Sequence, residues 1–320
     1  MIDVSIVIVC MNNLKNLYLC LESIEKYTNK VTYETLVVAY LFSKENIEKV
    51  KVSFPWVSFI ESNEIRGFSE NNNLALRQAK GKYCFVLNDD TEMKMPVIDR
   101  LVETIENLPA DVAVVSPRSV FGDGTFQSCG RPKYTFRTFV LQQFKLWNEQ
   151  KTKSAYVNQK GVFQTYNLWG AFFLIKTAVF RNMGWFDERY FFCPEDIALS
   201  DSLNKMGYKC YVNANIVITH YEGMSGKSLS MIQTATRPAQ AKGMAIYLSQ
   251  GKSYRYIIIS VWLCLFSIFQ FLFHSVKSLS KKKPNEDSIL SIGDINVLRS
   301  ILTSKTPKEI FIKYYSAIRQ

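Results

Sequence analysis

The sequence predicts an α/β protein built on a doubly wound, mostly parallel sheet, and three observations predict it. Short apolar runs recur, each the length of a buried strand: Val4–Cys10, Thr35–Ala39, Val57–Ile60, Tyr83–Leu87 and Val112–Pro117. Segments with helical spacing separate them, so strands alternate with helices as in βαβ units. The central run, within GKYCFVLNDDTEM (Gly81–Met93), ends abruptly in carboxylates. That is the carboxyl end of a strand, where open α/β sheets bind ligands.

Taken in order, the first strand is followed by Leu14, Leu17, Leu21 and Ile24 at helical spacing, and Ile47–Val50 marks a short helix before the third strand. In Asn63–Ala79, Gly67 permits a tight turn and Ser69 can cap a helix carrying Leu74 and Leu76. The Asn71–Asn73 run within it is unusual, because asparagine is a poor helix former, and a polar face near a helix start accounts for it without a ligand. Pro96–Asn107 reads as a helix. From Arg118 to Thr165 periodicity is lost and Gly, Lys, Arg and aromatics accumulate, the mark of a loop-rich insertion. Order returns at Asn167–Lys176, a strand in which Gly170 would let a ligand or another backbone approach closely. Leu199, Leu203 and Met206 then mark one face of a helix that Glu195 and Asp196 open and Gly207 closes. Val217–His220 is a short strand ending in one of only two histidines, and the small, polar run EGMSGKS follows.

The carboxylate cluster has two readings. If the chain is still extended past Leu87, Asn88 and Asp90 point to one side and Asp89 to the other. Two oxygen-bearing side chains then suit a hard divalent cation, Mg²⁺ or Mn²⁺, that completes its shell with water and diphosphate oxygens. Alternatively, Asp90 or Thr91 caps the helix that Pro96 opens. Glu195 and Asp196 are open to a similar choice, since acidic residues at a helix start are ordinary dipole partners.

At 320 residues the chain accommodates one large α/β domain and more than an appendage. The net charge of +11 is uneven: residues 251–320 hold eleven Lys/Arg against four Asp/Glu, so +7 sits in the tail. A basic excess beside a long apolar run points to an anionic lipid surface rather than nucleic acid. The seven cysteines form no CxxC pair and no Cys/His cluster, and read as reduced cytosolic residues. The opening residues lack a basic n-region and a small-residue cleavage site, so the expectation is a catalytic part in the cytoplasm.

Together, VSIVIV, RGFSENNN followed by AKGKY, LNDDT, GAFFLIK with the later MGWFDERYFF, the PED triplet and His220 resemble the inverting glycosyltransferases of family two, in particular rhamnosyltransferase-like members, over roughly residues 2–250. The resemblance implies a GT-A fold, a divalent cation (Mg²⁺ or Mn²⁺) and a nucleotide-diphosphate sugar donor. By position it assigns Asp90, with Asn88 or Asp89, to the metal on the diphosphate, and His220 to completing the coordination. Asp196 is then the general base, with Glu195 beside it near the acceptor. Asn72 and Arg66 would line the donor side with Asp89, and Trp169–Gly170–Ala171 the sugar pocket. Ala39 stands where family members usually carry an Asp that contacts the nucleotide base. Asn88 replaces the first Asp of the usual pair, and ALSDSLNK after the PED triplet lacks the acidic and Arg residues often found there.

Tyr256–Phe273 is an eighteen-residue apolar run, about 27 Å of helix, which nearly spans a bilayer core. Ser253, Ser260, Ser267, Gln270, His274, Lys277 and Lys281 form one polar stripe along it. Basic residues flank both ends: Lys252 and Arg255 before, Lys277 and Lys281–Lys283 after. A single span would place one cluster on the wrong side. The expectation is a helix lying in or dipping into the cytoplasmic leaflet with its stripe toward headgroups. The alternatives are a true span, or a stripe that forms a seam against the enzyme or a second subunit. The domains read as 1–228 GT-A-like catalytic, 229–275 linker and membrane-associating helix, and 276–320 basic tail, helical over Ile292–Leu302 and Glu309–Ile318. The functional expectation is transfer of a sugar, with inversion, to a membrane-bound, lipid-linked glycan acceptor at the cytoplasmic face of the cell membrane, in cell-surface polysaccharide assembly. Homo-oligomerisation is compatible with it. A non-catalytic partner of another glycan-assembly enzyme and a sugar nucleotidyltransferase are the competing readings. Ala39 favours the first, and CMNNLKN, which is not a Gly-rich nucleotide loop, opposes the second.

Overall fold

Each of the five short apolar runs from Val4–Cys10 to Val112–Pro117 lies in a strand of the computed structural model, which describes residues 1–147, 156–221, 231–279 and 286–319. The chain divides into two units. The first holds Met1–Glu64, Glu70–Asp187 and Asp196–Ser225, and the second Ile65–Ser69, Glu188–Glu195 and Gly226–Gln320.

In the first unit the strands are β1 (Val4–Cys10), β2 (Tyr33–Tyr40), β3 (Val57–Ser62), β4 (Tyr83–Asn88), β5 (Thr91–Met93), β6 (Val112–Val120), β7 (Val162–Thr165), β8 (Phe172–Lys176) and β9 (Lys209–His220). Their order is β3-β2-β1-β4-β8-β6-β9-β5, with β7 also on β9. The β3-β2-β1-β4 half is parallel, as the alternating pattern requires. Beyond it β8 runs antiparallel to both β4 and β6, so the sheet is mixed. Helix α1 (Leu14–Tyr27) starts where the Asn13 side chain accepts a hydrogen bond from the Asn16 N–H, and buries Leu17, Leu21 and Ile24 on the sheet. Each such side chain contributes roughly 1.5–3 kcal/mol. Helices α2 (Lys44–Ser53) and α4 (Val97–Glu106) add Ile47 and Val50, and Ile98, Leu101 and Ile105, to the same core.

Several local expectations are corrected. No helix begins at Asp90 or Thr91: Thr91–Met93 is β5, and α4 starts at Val97 after Pro96 with no side-chain cap. The strand ending at His220 runs from Lys209, not from Val217. Its polar stretch Asn213–Asn215 coincides with a register shift against β6 between Pro117 and Arg118, which hides it as a strand in the sequence. The strand expected over Asn167–Lys176 begins only at Phe172. The region expected to be loop-rich contains α5 (Phe136–Gln143) and β7. In α3 (Phe68–Leu76), Asn71, Asn72 and Asn73 do not form an exposed polar face but are buried. Asn73 Nδ2 donates to the Phe186 carbonyl (2.9 Å) and its Oδ1 accepts from the Phe186 N–H (3.1 Å), while Asn71 Oδ1 accepts from Ser62 Oγ (2.8 Å). Met206 is exposed, so the face of α7 (Glu195–Lys205) is carried by Leu199 and Leu203, and Gly207 closes it at φ +85°.

The second unit contains α8 (Gln233–Ser249), α9 (Ser253–Leu279), α10 (Glu286–Ser300) and α11 (Pro307–Arg319). Helices α9 and α10 lie side by side and antiparallel. Tyr256 Oη donates to the Ile301 carbonyl at one end (3.1 Å), and His274 Nδ1 meets Asp287 Oδ1 at the other (2.9 Å). Between them Arg237 Nη2 of α8 stands 2.6 Å from Asp294 Oδ1 of α10, and Asn296 Nδ2 donates to the Thr234 carbonyl (3.0 Å). Phe191, Ile310, Phe311 and Tyr314 form an apolar cluster with Ala235 and Ala239. Gly67 serves a close approach rather than a tight turn, since a Cβ there would stand 2.3 Å from the Phe191 carbonyl oxygen. The EGMSGKS run and Lys281–Lys283 lie outside the described residues.

Candidate active site

The β4 strand stops at Asn88 and the chain turns through Asp89 and Asp90, so the alternation expected of an extended chain does not apply there. Instead β5 pairs antiparallel with β9, Thr91 opposite His220, and the Tyr221 N–H donates to the Asp90 carbonyl (2.8 Å). This ladder brings together two side chains 130 positions apart. Asp90 Oδ1 is buried, has no hydrogen-bond partner, and lies 3.3 Å from His220 Nε2. Gln127 sets the imidazole: its Nε2 donates to the His220 carbonyl (3.4 Å), which turns Oε1 toward Nδ1 (3.3 Å). Since Oε1 can only accept, the neutral ring carries its proton on Nδ1 and its lone pair on Nε2. Phe172 packs edge-on against the ring at 5.5 Å.

Asp89 takes a different environment from Asp90. Burial pushes its carboxyl up to about 6, the adjacent Asp90 charge adds to this, and a hydrogen bond with Cys10 opposes it. Burial and Asp89 in turn raise the Cys10 thiol.

The Trp169–Gly170–Ala171 turn connects this strand end to Asp196. The Ala171 carbonyl accepts from the Asn88 N–H (2.8 Å), and the Gly170 N–H donates to Asp196 Oδ2 (3.3 Å). A Cβ on Gly170 would come within 3.1 Å of the Asp196 Cβ, tighter than ordinary van der Waals contact. Asp196 Oδ1 accepts from the Ile197 N–H (2.7 Å). Arg131 approaches Oδ2 from the other side at 2.5 Å, donates to the Leu168 carbonyl, and has its guanidinium 4.2 Å from the centre of the Trp169 ring. The side chains of this pair are only 7% and 16% exposed, so solvent screens the ion pair little.

The sequence-predicted residues therefore gather unequally. Asp90 and His220 meet directly, Asn88 bonds to Ala171 and Gly170 to Asp196, and the chain itself joins the two groups through Asp89 and through Trp169–Ala171. Asn72 is buried, 1% exposed, on α3. Arg66 and Glu195 fall in the second unit. Gln127 and Arg131 were not singled out, because the aperiodic segment that carries them offers no spacing that reports a contact 93 or 65 residues away.

The family model for glycosyl transferase family 2 matches residues 5–184, more than half of the chain. This chain belongs to glycosyl transferase family 2. The match takes in the Asn88–Asp90 turn and the Trp169–Ala171 turn. The O-antigen biosynthesis protein RfbC of Myxococcus xanthus is 27% identical over 158 residues, 49% of this chain but 12% of that protein's length. Among solved structures, GalNAc-T7 with UDP, GalNAc and Mn²⁺ aligns at TM-score 0.53 and 18% identity over 72% of this chain and 46% of its own. The mannosyltransferase PcManGT from Pyrobaculum calidifontis, in complex with GDP-Man and Mn²⁺, aligns at TM-score 0.49 and 14% identity over 98% of this chain and 79% of its own. The fold of this chain is GT-A.

Its donor set suits a shared cation better than a structural one. Among the described residues no three His, Cys, Asp or Glu side chains converge. Asp90 Oδ1 and the His220 lone pair supply two positions, and a hard divalent cation held by one or two protein groups takes its remaining ligands from phosphate oxygens and water. The unpartnered buried oxygen of Asp90 fits that role, and Gln127 makes the kind of outer hydrogen bond that would orient His220 as a ligand.

Proposed function

We propose that this family-two enzyme transfers a sugar, with inversion, from a nucleotide-diphosphate sugar to a membrane-bound, lipid-linked glycan acceptor, in cell-surface polysaccharide assembly at the cytoplasmic face of the membrane. The observation that carries the reading is the Trp169–Ala171 turn, hydrogen-bonded at one side to the strand end bearing Asp90 and at the other to Asp196. An inverting transfer needs these two functions next to each other, a charge-neutralising end for the leaving diphosphate and a fixed carboxylate for the nucleophile.

Asp196 takes the proton of the acceptor hydroxyl as the oxygen attacks the anomeric carbon, and the bond from that carbon to the diphosphate oxygen breaks on the opposite face. Gly170, Ile197 and Arg131 hold the carboxylate so that it does not reorganise during the step. Asp90 and His220, with Asn88 or Asp89 beside them, would hold Mg²⁺ or Mn²⁺. The cation, when bound, neutralises charge growing on the departing diphosphate. Nucleotide and Mn²⁺ in GalNAc-T7 support this assignment of donor and metal by fold analogy, and the name of the Myxococcus relative supports the polysaccharide setting.

Purified protein supplied with a panel of nucleotide sugars and Mn²⁺ tests the reading. Asp196→Asn is expected to lose at least ~10²-fold in turnover, the low end for a positioned base, while donor affinity stays near wild type. Full turnover in Asp196→Asn with a dead Glu195→Gln would transfer the role to Glu195. Activity in both would reduce the two carboxylates to helix-terminus partners.

A further inference from the structure

The long apolar helix α9 presents its apolar side outward, not inward. Ile257, Val261, Leu265, Phe269, Leu272 and Val276 recur at steps of three and four residues and are 47–68% exposed. They form one continuous face along more than five turns. The polar stripe turns the other way: Ser260, Ser267 and His274 are buried in the second unit, His274 against Asp287 of α10. The middle of the stripe is thus a seam with the protein's own helices, and at Ser260, Ser267 and His274 the orientation expected from sequence, toward headgroups, is reversed.

The companion helix decides between crossing a bilayer and lying on it. Helix α10 runs beside α9 from Asp287 near His274 to Ile301 near Tyr256, and carries Glu286, Asp287, Asp294, Asn296 and Arg299. A spanning α9 would draw these charges into hydrocarbon, where ionisable groups are strongly disfavoured. With α9 parallel to the surface, α10 stays on the aqueous side and only the outward face enters the acyl boundary, the arrangement of a monotopic amphipathic helix. The borders of that face carry charge of one sign. Lys252, Arg255 and Lys277 are exposed, Arg255 beside the Tyr254 ring and Lys277 4.5 Å from the centre of the Phe273 ring, and no acidic residue lies between Lys252 and Lys277. Cations on both ends of an apolar strip complement anionic headgroups.

We propose that the outward face of α9 is a docking surface for an anionic lipid bilayer, on which the helix lies in the plane of one leaflet without crossing it. The surface is independent of the catalytic assignment and would bring the enzyme to an acceptor anchored in the same leaflet.

The test is flotation of the full-length protein with preformed vesicles of phosphatidylcholine alone or with 30 mol% phosphatidylglycerol, at low and high salt. Wild type is expected to float with the anionic vesicles, more weakly at high salt and on phosphatidylcholine. Arg255→Glu/Lys277→Glu should lower affinity for anionic vesicles at least ~tenfold, since each basic residue near such a surface is worth about fivefold. Leu265→Glu/Phe269→Glu should lose about 100-fold or more on both compositions. Both pairs are exposed, so the variants keep the wild-type melting temperature, and thermal unfolding verifies that a loss is not misfolding. A protease added outside the vesicles should remove a C-terminal tag completely. A protected tag would mean a span and overturn the proposal. So would binding untouched by either pair of substitutions, or a detergent-free dimer that Leu265→Glu/Phe269→Glu converts to monomer, which would make the face a contact with a second copy.

Discussion

Replacing Arg131 with methionine removes one half of the Arg131–Asp196 pair while keeping an apolar stem of similar length. The guanidinium contributes the 2.5 Å contact with Asp196 Oδ2, the hydrogen bond to the Leu168 carbonyl and the stack on Trp169. Deleting one partner of a buried pair costs about 3–5 kcal/mol, because the other charge is left uncompensated. Here Asp196 retains the Gly170 and Ile197 N–H groups, so the lower end applies, ~3 kcal/mol. For a unit of this size that lowers Tm by roughly 6–12 °C. A double-mutant cycle with Asp196→Asn isolates the pair: Arg131→Met should cost much less in the Asp196→Asn background, a coupling of about 1–3 kcal/mol by denaturant unfolding. Turnover of Arg131→Met should fall with little change in donor affinity. Arg131→Lys should lie between, since it keeps the charge but not the planar fork. A loss under about 1 kcal/mol, or single-variant costs that simply add, would refute the claim that Arg131 holds this carboxylate.

Gln127→Leu leaves the His220 ring without its Nδ1 partner, and metal affinity measured by titration of Mn²⁺ in the presence of nucleotide should drop about 10- to 100-fold, with an unchanged value refuting the orienting role. Asp294 supplies a pH dependence. Burial pushes its carboxyl up to about 6 although Arg237 opposes this. A raised acid favours folding fully below its unfolded value, 3.8, and that contribution is lost as pH rises through about 6. The loss totals roughly 3 kcal/mol, about half of it between pH 5 and pH 8. Wild-type stability relative to Asp294→Asn should therefore decline over that interval, and a difference that stays flat would contradict it.

The parallel half of the sheet was legible because each strand is a continuous apolar run between punctuating turns, and the acidic end of β4 marked a candidate site without any long-range information. What escaped was carried by pairings between distant segments. Three residues, Thr91–Met93, are too few to show a strand period, yet their ladder with β9 is what delivers His220 to Asp90. Gln127 and Arg131 sit in a stretch whose Gly, Lys and aromatic content reads as loop, and only the fold reveals that each orients a predicted site residue. Asn71 and Asn73 oppose helix formation locally, but buried hydrogen bonds to Ser62 and to the Phe186 backbone hold them there. The polar stripe of α9 was visible at its correct period. Its direction depends on α10, which no pattern within α9 encodes.

In the proposed function the turn after β4 and the end of β9 hold a cation on the donor diphosphate. Calorimetric titration of the cognate nucleotide sugar with and without Mn²⁺, on wild type and Asp90→Ala, tests it most directly. Binding that requires Mn²⁺ in wild type and is lost in Asp90→Ala, with His220→Ala weakened to a lesser degree, is the predicted result. Equal donor affinity in wild type and Asp90→Ala, with and without the metal, would contradict the account.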